Sequence, residues 1–253
     1  MCIRDRLYTA ATRFVVVGQL FVQSVQQALS PHLSTLFAKG ETQAANSVFQ
    51  AATLWSMIVS WPLYLVTAGF ATELMGIFGE GYDVASDVVV ILSLTMLLAT
   101  ACGPVDSVLL MAGRSWLSLR NSVVALVVNV GLNIVLIPLD GIRGAAIAWA
   151  VAIVVRNLLP LVQVRKHLGM WPLRRASAYV AVGALGSFGG VGAVVAIAGW
   201  PLPVDVALVL VAAAVYAAGI WRWRDGLGLG AFRSVLRRRA GPGARGVPVT
   251  TPS

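Results

Sequence analysis

The sequence predicts an all-α fold, a polytopic bundle of about seven membrane-spanning helices, on three observations. Hydrophobic residues make up 58% of the 253-residue chain and charged residues 11%, whereas a soluble domain carries about 25% charged residues. The mean hydropathy is +0.82. Apolar runs of the roughly 20 residues needed to cross about 30 Å of hydrocarbon recur along the chain between clusters of turn-forming and charged residues. The formal charge of +9 does not point to nucleic acid, because the basic residues sit at the ends of apolar runs and in the tail. That is a membrane-topology pattern, so the expected location is the cytoplasmic membrane and the expected surroundings are membrane lipid.

Residues 1–6, MCIRDR, are charged and look like a translated library adapter, a non-native leader with no signal-peptide character. The first span runs from about Leu7 to Leu29, with Pro31 near its end and a continuation to Lys39. The second covers about Val48 to Phe70 and contains Pro62, tolerated in a membrane helix because neighbours re-satisfy the freed carbonyl. The third is Val88 to Met111, with Gly103, Pro104 and Asp106 near one end, and the fourth is Trp116 to Leu139. A tight Asp140-Gly141 turn leads into the fifth, Gly144 to Val164, whose opening glycines and alanines permit close helix approach. The sixth, Ala176 to Ala198, is rich in Gly and Ala, and the seventh is Val204 to Trp223. Residues 224–253 form a basic, Gly- and Pro-rich tail whose composition predicts disorder from about Gly241.

Lys and Arg set the expected orientation. Alternate connections hold Lys39, Arg114, Arg120, Arg165, Lys166, Arg174, Arg175 and the arginines from Arg222 onward, whereas the opposite connections hold Arg143 beside Glu73, Glu80, Asp83, Asp140 and Asp205. Positive charge collects in the cytoplasm, which puts the tail inside and the start of the first span outside. A chain starting outside without a signal peptide implies an earlier span, so helices N-terminal to Leu7 are expected to be missing.

The first span carries the candidate site. Stepping about 100° per residue puts Tyr8, Thr12, Gln19, Gln23, Gln26, Gln27 and Ser30 on one side of the helix with Arg13 at its edge. Such a stripe cannot face lipid, since an unpaired polar group in hydrocarbon costs several kcal/mol. The glutamines are either interhelical glue or the wall of a wet cavity, and Arg13 favours the cavity because a buried guanidinium needs an anion or carbonyl partner and marks a functional path. Asn129 and Asn133, with Asn121 two turns earlier, read as glue on the fourth span. Asp106 is a possible coupling carboxylate, and Arg156, two turns from the end of the fifth span, can snorkel. His32 and His167 lack metal-ligand spacing to any Cys, Asp or Glu, no GxxxxGK[ST] loop is present, and Cys2 and Cys102 make no disulfide framework. No catalytic residue, metal or cofactor is expected.

Several stretches together, YTAATRF, ALSPHLSTLFAKGE, WPLYLV, FGEGYDVA and GPVDSVLLMAGRSWLSLRNSVVALVVNVGLNIVLIPLDGIRGAAIAW, resemble the multidrug/oligosaccharidyl-lipid/polysaccharide superfamily. Within it the likeness is to the lipid-linked oligosaccharide flippases of polysaccharide biosynthesis, relatives of the lipid II flippase. The resemblance runs from about Tyr8 to Trp171 and implies two six-helix lobes that rock around a central cavity. It implies that residues 7–171 are the last five helices of the C-terminal lobe, that 172–223 are two appended helices, and that the N-terminal lobe is the missing partner. It also implies a transport role for Arg13, since YTAATRF is similar in kind to the segment bearing a cavity arginine in the lipid II flippase. The function implied is translocation of a polyprenyl-diphosphate-linked oligosaccharide by alternating access, with no covalent chemistry. An ion-coupled multidrug exporter of the same superfamily, which would use embedded carboxylates such as Asp106 and Asp87, is the alternative, and a non-transporting membrane scaffold is a third reading.

Overall fold

A computed structural model describes the backbone of residues 3–76, 85–198 and 201–223, and the side chains of these residues apart from 3–15, Val17, Phe21, 196–198 and Leu202. The tail from 224 and the Glu80–Asp83 segment lie outside the described residues. Among the described residues every regular element is helical: α1 (Ile3–Ala38), α2 (Thr42–Gly69), α3 (Ala71–Gly76), α4 (Ser86–Cys102), α5 (Val105–Met111), α6 (Ser115–Leu168), α7 (Arg175–Ala184), a π-helical turn (Leu185–Gly189), α8 (Gly190–Ala198) and α9 (Leu202–Arg222).

Five described stretches are long and apolar enough to cross a membrane, namely Thr42–Gly69, Ser86–Met111, Ser115–Leu168, Arg175–Val195 and Pro203–Arg222. The third is a hairpin. Asp140 (φ −134°, ψ 15°) and Gly141 (φ 55°, ψ −124°) leave helical geometry, and Gly141 adopts a conformation open in practice to glycine alone. The arms, 115–139 and 142–168, are each about 37–40 Å long, enough to cross singly. Gly144 lies so close to the Leu136 carbonyl that a Cβ could not fit, and Ala146 and Ala148 are fully buried, so the small residues at the start of the second arm do allow close approach. Counting the arms separately, and α1 with them, the expected seven spans are present, and the chain is a multi-pass membrane protein.

Helix α2 is central, packing against α1, α4, α7 and α8, while α4 in turn carries the α6 hairpin. Two buried clusters hold the bundle together. One joins Leu54, Trp61, Tyr64, Val88, Leu92, Phe188 and Tyr216. The other, at one end, joins Leu33, Phe49, Val105, Leu109, Val164 and Met170. At about 25 cal/mol per Å² of apolar surface removed from water in soluble proteins, such clusters would dominate folding; between membrane helices the gain comes from close packing instead. The closest packing is backbone on backbone: a Cβ on Gly69 would sit 2.7 Å from the Cα of Gly192, tying α8 to α2.

The third span differs from expectation. It breaks at Gly103 (φ 71°) and Pro104 into α4 and α5, because Gly103 packs against Thr53 of α2 where no side chain has room and Pro104 has no amide hydrogen to continue the ladder. The two ends of the bundle also differ in charge. The end that gathers Asn46, Gln50 and Trp171, through hydrogen bonds from Gln50 Nε2 to the Trp171 carbonyl at 3.0 Å and from the Trp171 amide to Asn46 Oδ1 at 3.1 Å, holds Lys39, Arg114, Arg165, Lys166, Arg174 and Arg175. At the other end Arg143 forms an ion pair with Asp87, which leaves that end without an unpaired described cation.

Candidate functional site

The sequence placed its candidate residues on α1, and neighbours divide that helix lengthwise. Gly18 lies against the ring of the buried Tyr64, with no room for a side chain, and Leu33 and Leu36 are buried further along. These contacts press one face of α1 onto α2, α4 and α5. The opposite face is open, with Val16 and Leu20 at 46% and 58% exposure.

The glutamines follow the seam between these faces. Gln19 and Gln26 are half-buried, and Gln23 and Gln27 are exposed. Gln19 Nε2 approaches Met96 Sδ of α4 at 3.7 Å, a weak acceptor for a carboxamide that can do more. Ser30 donates to the Gln26 carbonyl at 2.8 Å within its own helix, the arrangement that satisfies a small hydroxyl without a partner helix. Gln23 and Gln27 therefore are not glue within this bundle. Arg13 lies in the helix about 15 Å along the axis from Ile3, and its side chain is outside the described ones.

The other polar candidates separate by partner. Asn121 and Gln163 exchange two hydrogen bonds across the α6 hairpin, so Asn121 is interhelical glue as expected. Asn133 instead donates within its own helix, to the Asn129 carbonyl at 2.9 Å and to Asn129 Oδ1 at 3.1 Å. Asp106 opens α5 and accepts a hydrogen bond from Ser118 Oγ at 2.5 Å. Asp87 is engaged by Arg143 at the bundle end.

Arg156 is exposed on the second arm, eight residues or about 12 Å before Val164, and the helix runs on through Arg165, Lys166 and His167 to Leu168. Two concavities lie elsewhere on the described surface. An apolar groove of about 300 Å³ between α7 and α9 is lined by Tyr179, Gly183, Tyr216, Gly219 and Trp223, and an open pocket of about 340 Å³ surrounds Asp87, Asp140 and Arg143. Neither includes a residue of α1.

The described part of α1 thus carries glutamines along an open face of one long helix. Comparison with known proteins gives the family. The chain is 32% identical over 153 residues to a probable low-salt glycan biosynthesis flippase of Haloferax volcanii, covering 60% of this chain and 32% of that protein. It is 33% identical over 128 residues to an uncharacterized membrane protein of Methanocaldococcus jannaschii, covering 50% of this chain and 25% of the other. The chain thus spans about a quarter to a third of the length of these relatives. Its fold is similar to the lipid II flippase MurJ in its inward closed conformation, with a TM-score of 0.70 at 15% identity over 88% of this chain and 48% of that one. The MatE family pattern matches residues 7–135, over half of the sequence, and the chain belongs to the MatE family.

Proposed function

We propose that the intact protein is a flippase that carries a polyprenyl-diphosphate-linked oligosaccharide from the cytoplasmic to the outer leaflet for cell-surface polysaccharide biosynthesis, by alternating access and without covalent chemistry. The observation that carries this reading is the open face of α1, where Gln23 and Gln27 are exposed on a helix whose other face packs onto α2, α4 and α5. Carboxamides both donate and accept, so they can exchange hydrogen bonds with sugar hydroxyls as a headgroup passes. Arg13, on the same helix, would hold the diphosphate through charge-assisted bidentate bonds, and a second lobe would close the cavity over this face. The relatedness to a glycan biosynthesis flippase supports a sugar-bearing lipid. The exporter alternative has less support, because Asp87 is engaged by Arg143 and Asp106 by Ser118.

The test is flipping of a fluorescent polyprenyl-diphosphate sugar by the full-length protein in vesicles. Replacing Gln23 and Gln27 together by Leu should slow flipping about tenfold or more, for two lost hydrogen bonds at about 1 kcal/mol each. Unchanged flipping at equal insertion would remove the seam from the path.

A further inference from the structure

The segment joining the α6 hairpin to α7, residues 165–175, is more than a run of positive charge. Between α6 and α7 burial alternates along the chain: Met170 and Pro172 are buried, while Trp171 and Leu173 are exposed. Met170 is 1% exposed and seats in the end cluster with Phe49 and Val164. Asn46 and Gln50 of α2 clamp the amide and the carbonyl of Trp171. The Arg165 guanidinium is stacked over the Trp171 ring at 4.9 Å from its centroid. Arg174 follows three residues later, within about 10 Å of chain, and its amide donates to Ser177 Oγ at 3.3 Å, which fixes the start of α7.

A fixed loop thus presents two outward apolar side chains, Trp171 and Leu173, amid Arg165, Lys166, Arg174 and Arg175, all exposed. None of these four cations has a carboxylate partner among the described residues, where the ion pair is Arg143 with Asp87. A tryptophan belongs at headgroup depth, and a guanidinium stacked upon it loses little further freedom on binding a planar array of phosphate oxygens. A loop that served only to fix topology would need the charges but neither the clamp nor the stack.

We propose that this loop is a binding site for anionic phospholipid headgroups, with Arg165 held by Trp171 as the fixed phosphate contact, Arg174 and Arg175 completing the charge, and Trp171 and Leu173 set among the upper acyl carbons. The site is independent of what the protein transports.

The experiment uses the full chain in phosphatidylcholine nanodiscs, where both leaflets are open and orientation has no effect. Spin-labelled phosphatidylglycerol and spin-labelled phosphatidylcholine are compared by the fraction immobilised on the protein. Wild type should prefer phosphatidylglycerol about fivefold, the worth of one well-placed cation near a membrane surface, and the preference should shrink at high salt. The triple variant R165Q/R174Q/R175Q should fall to parity, while R114Q/R120Q, which removes two cations from the same end, should keep most of the preference. Should the triple variant fail to fold, Trp171→Ala carries the test, because it removes the stacking platform at constant charge and should also abolish the preference. No preference in wild type, retention in the triple variant or in Trp171→Ala, or equal loss in the R114Q/R120Q control overturns the site.

Discussion

Asn121 and Gln163 face each other across the α6 hairpin, each carboxamide donating to the other's oxygen at 2.8 Å. The pair closes both side chains upon each other and fixes the register of arms that otherwise meet through apolar and small residues. In a membrane such a pair is worth about 0.6 kcal/mol, and up to about 1.7. Asn121→Leu and Gln163→Leu should each lower unfolding stability in mild detergent by more than the double variant's loss would suggest, since each single change leaves the other carboxamide without its partner. A double-mutant cycle with no coupling would show that the arms hold their register without it.

The crossing of α2 and α8 makes a steeper prediction. With 2.7 Å between the Gly192 Cα and a Cβ at Gly69, Gly69→Val overpacks the crossing and should destabilise the packing of α8 on α2 by about 1–3 kcal/mol. Gly131, which has open space around it, is the control, and Gly131→Ala should be neutral or stabilising by up to about 1 kcal/mol. The check is thermal unfolding of the two variants beside wild type, together with proteolytic release of the segment from 175 onward.

Topology follows from the asymmetry of the two ends. Asp140→Cys at the hairpin turn should react with an impermeant thiol reagent from outside the cell, and Lys166→Cys only after the cytoplasmic face is opened, in an otherwise cysteine-free full-length background. The basis is the segregation of Lys39, Arg114, Arg165, Lys166, Arg174 and Arg175 from Arg143 and the positive-inside rule. The reverse labelling pattern would invert the orientation.

Arg13 carries the sharpest functional expectation. At its depth a guanidinium facing lipid costs about 2.5–3.5 kcal/mol on insertion scales, and a diphosphate is a partner that would make its retention worthwhile. In the full-length protein, Arg13→Ala should lose nearly all flipping per inserted molecule, and Arg13→Lys should recover part of it, because a lysine keeps the charge but not the bidentate geometry. Wild-type flipping in Arg13→Ala would take the residue out of the path, and a loss that tracks protein level alone would assign it to stability.

Much of the architecture was legible because it depends on local signals. The Asp140-Gly141 turn, the apolar runs and the helix-end charges are read within a few residues of themselves. The break at Gly103 was legible only as a Gly-Pro pair, because its cause is Thr53, fifty residues earlier on another helix. A helical wheel grouped Gln19, Gln23, Gln26 and Gln27 on one side of α1 but could not tell which of them α2 and α4 would cover. Asn121, Asn129 and Asn133 looked alike in sequence, yet Asn121 found Gln163 while Asn133 found its own helix. The pairing of Arg143 with Asp87 joins helices 56 residues apart, and nothing local to either residue announces it.

The two-residue reversal at Asp140 and Gly141 also constrains how the chain is made. A connection this short has no slack, so once one arm is seated the other cannot be threaded across later. The arms are therefore expected to enter the bilayer together, as a hairpin whose tip carries Asp140 and Arg143. In the folded bundle Arg143 is held by Asp87 of α4, a helix synthesised earlier, so the same ion pair ties the tip of the hairpin to the part of the chain made before it.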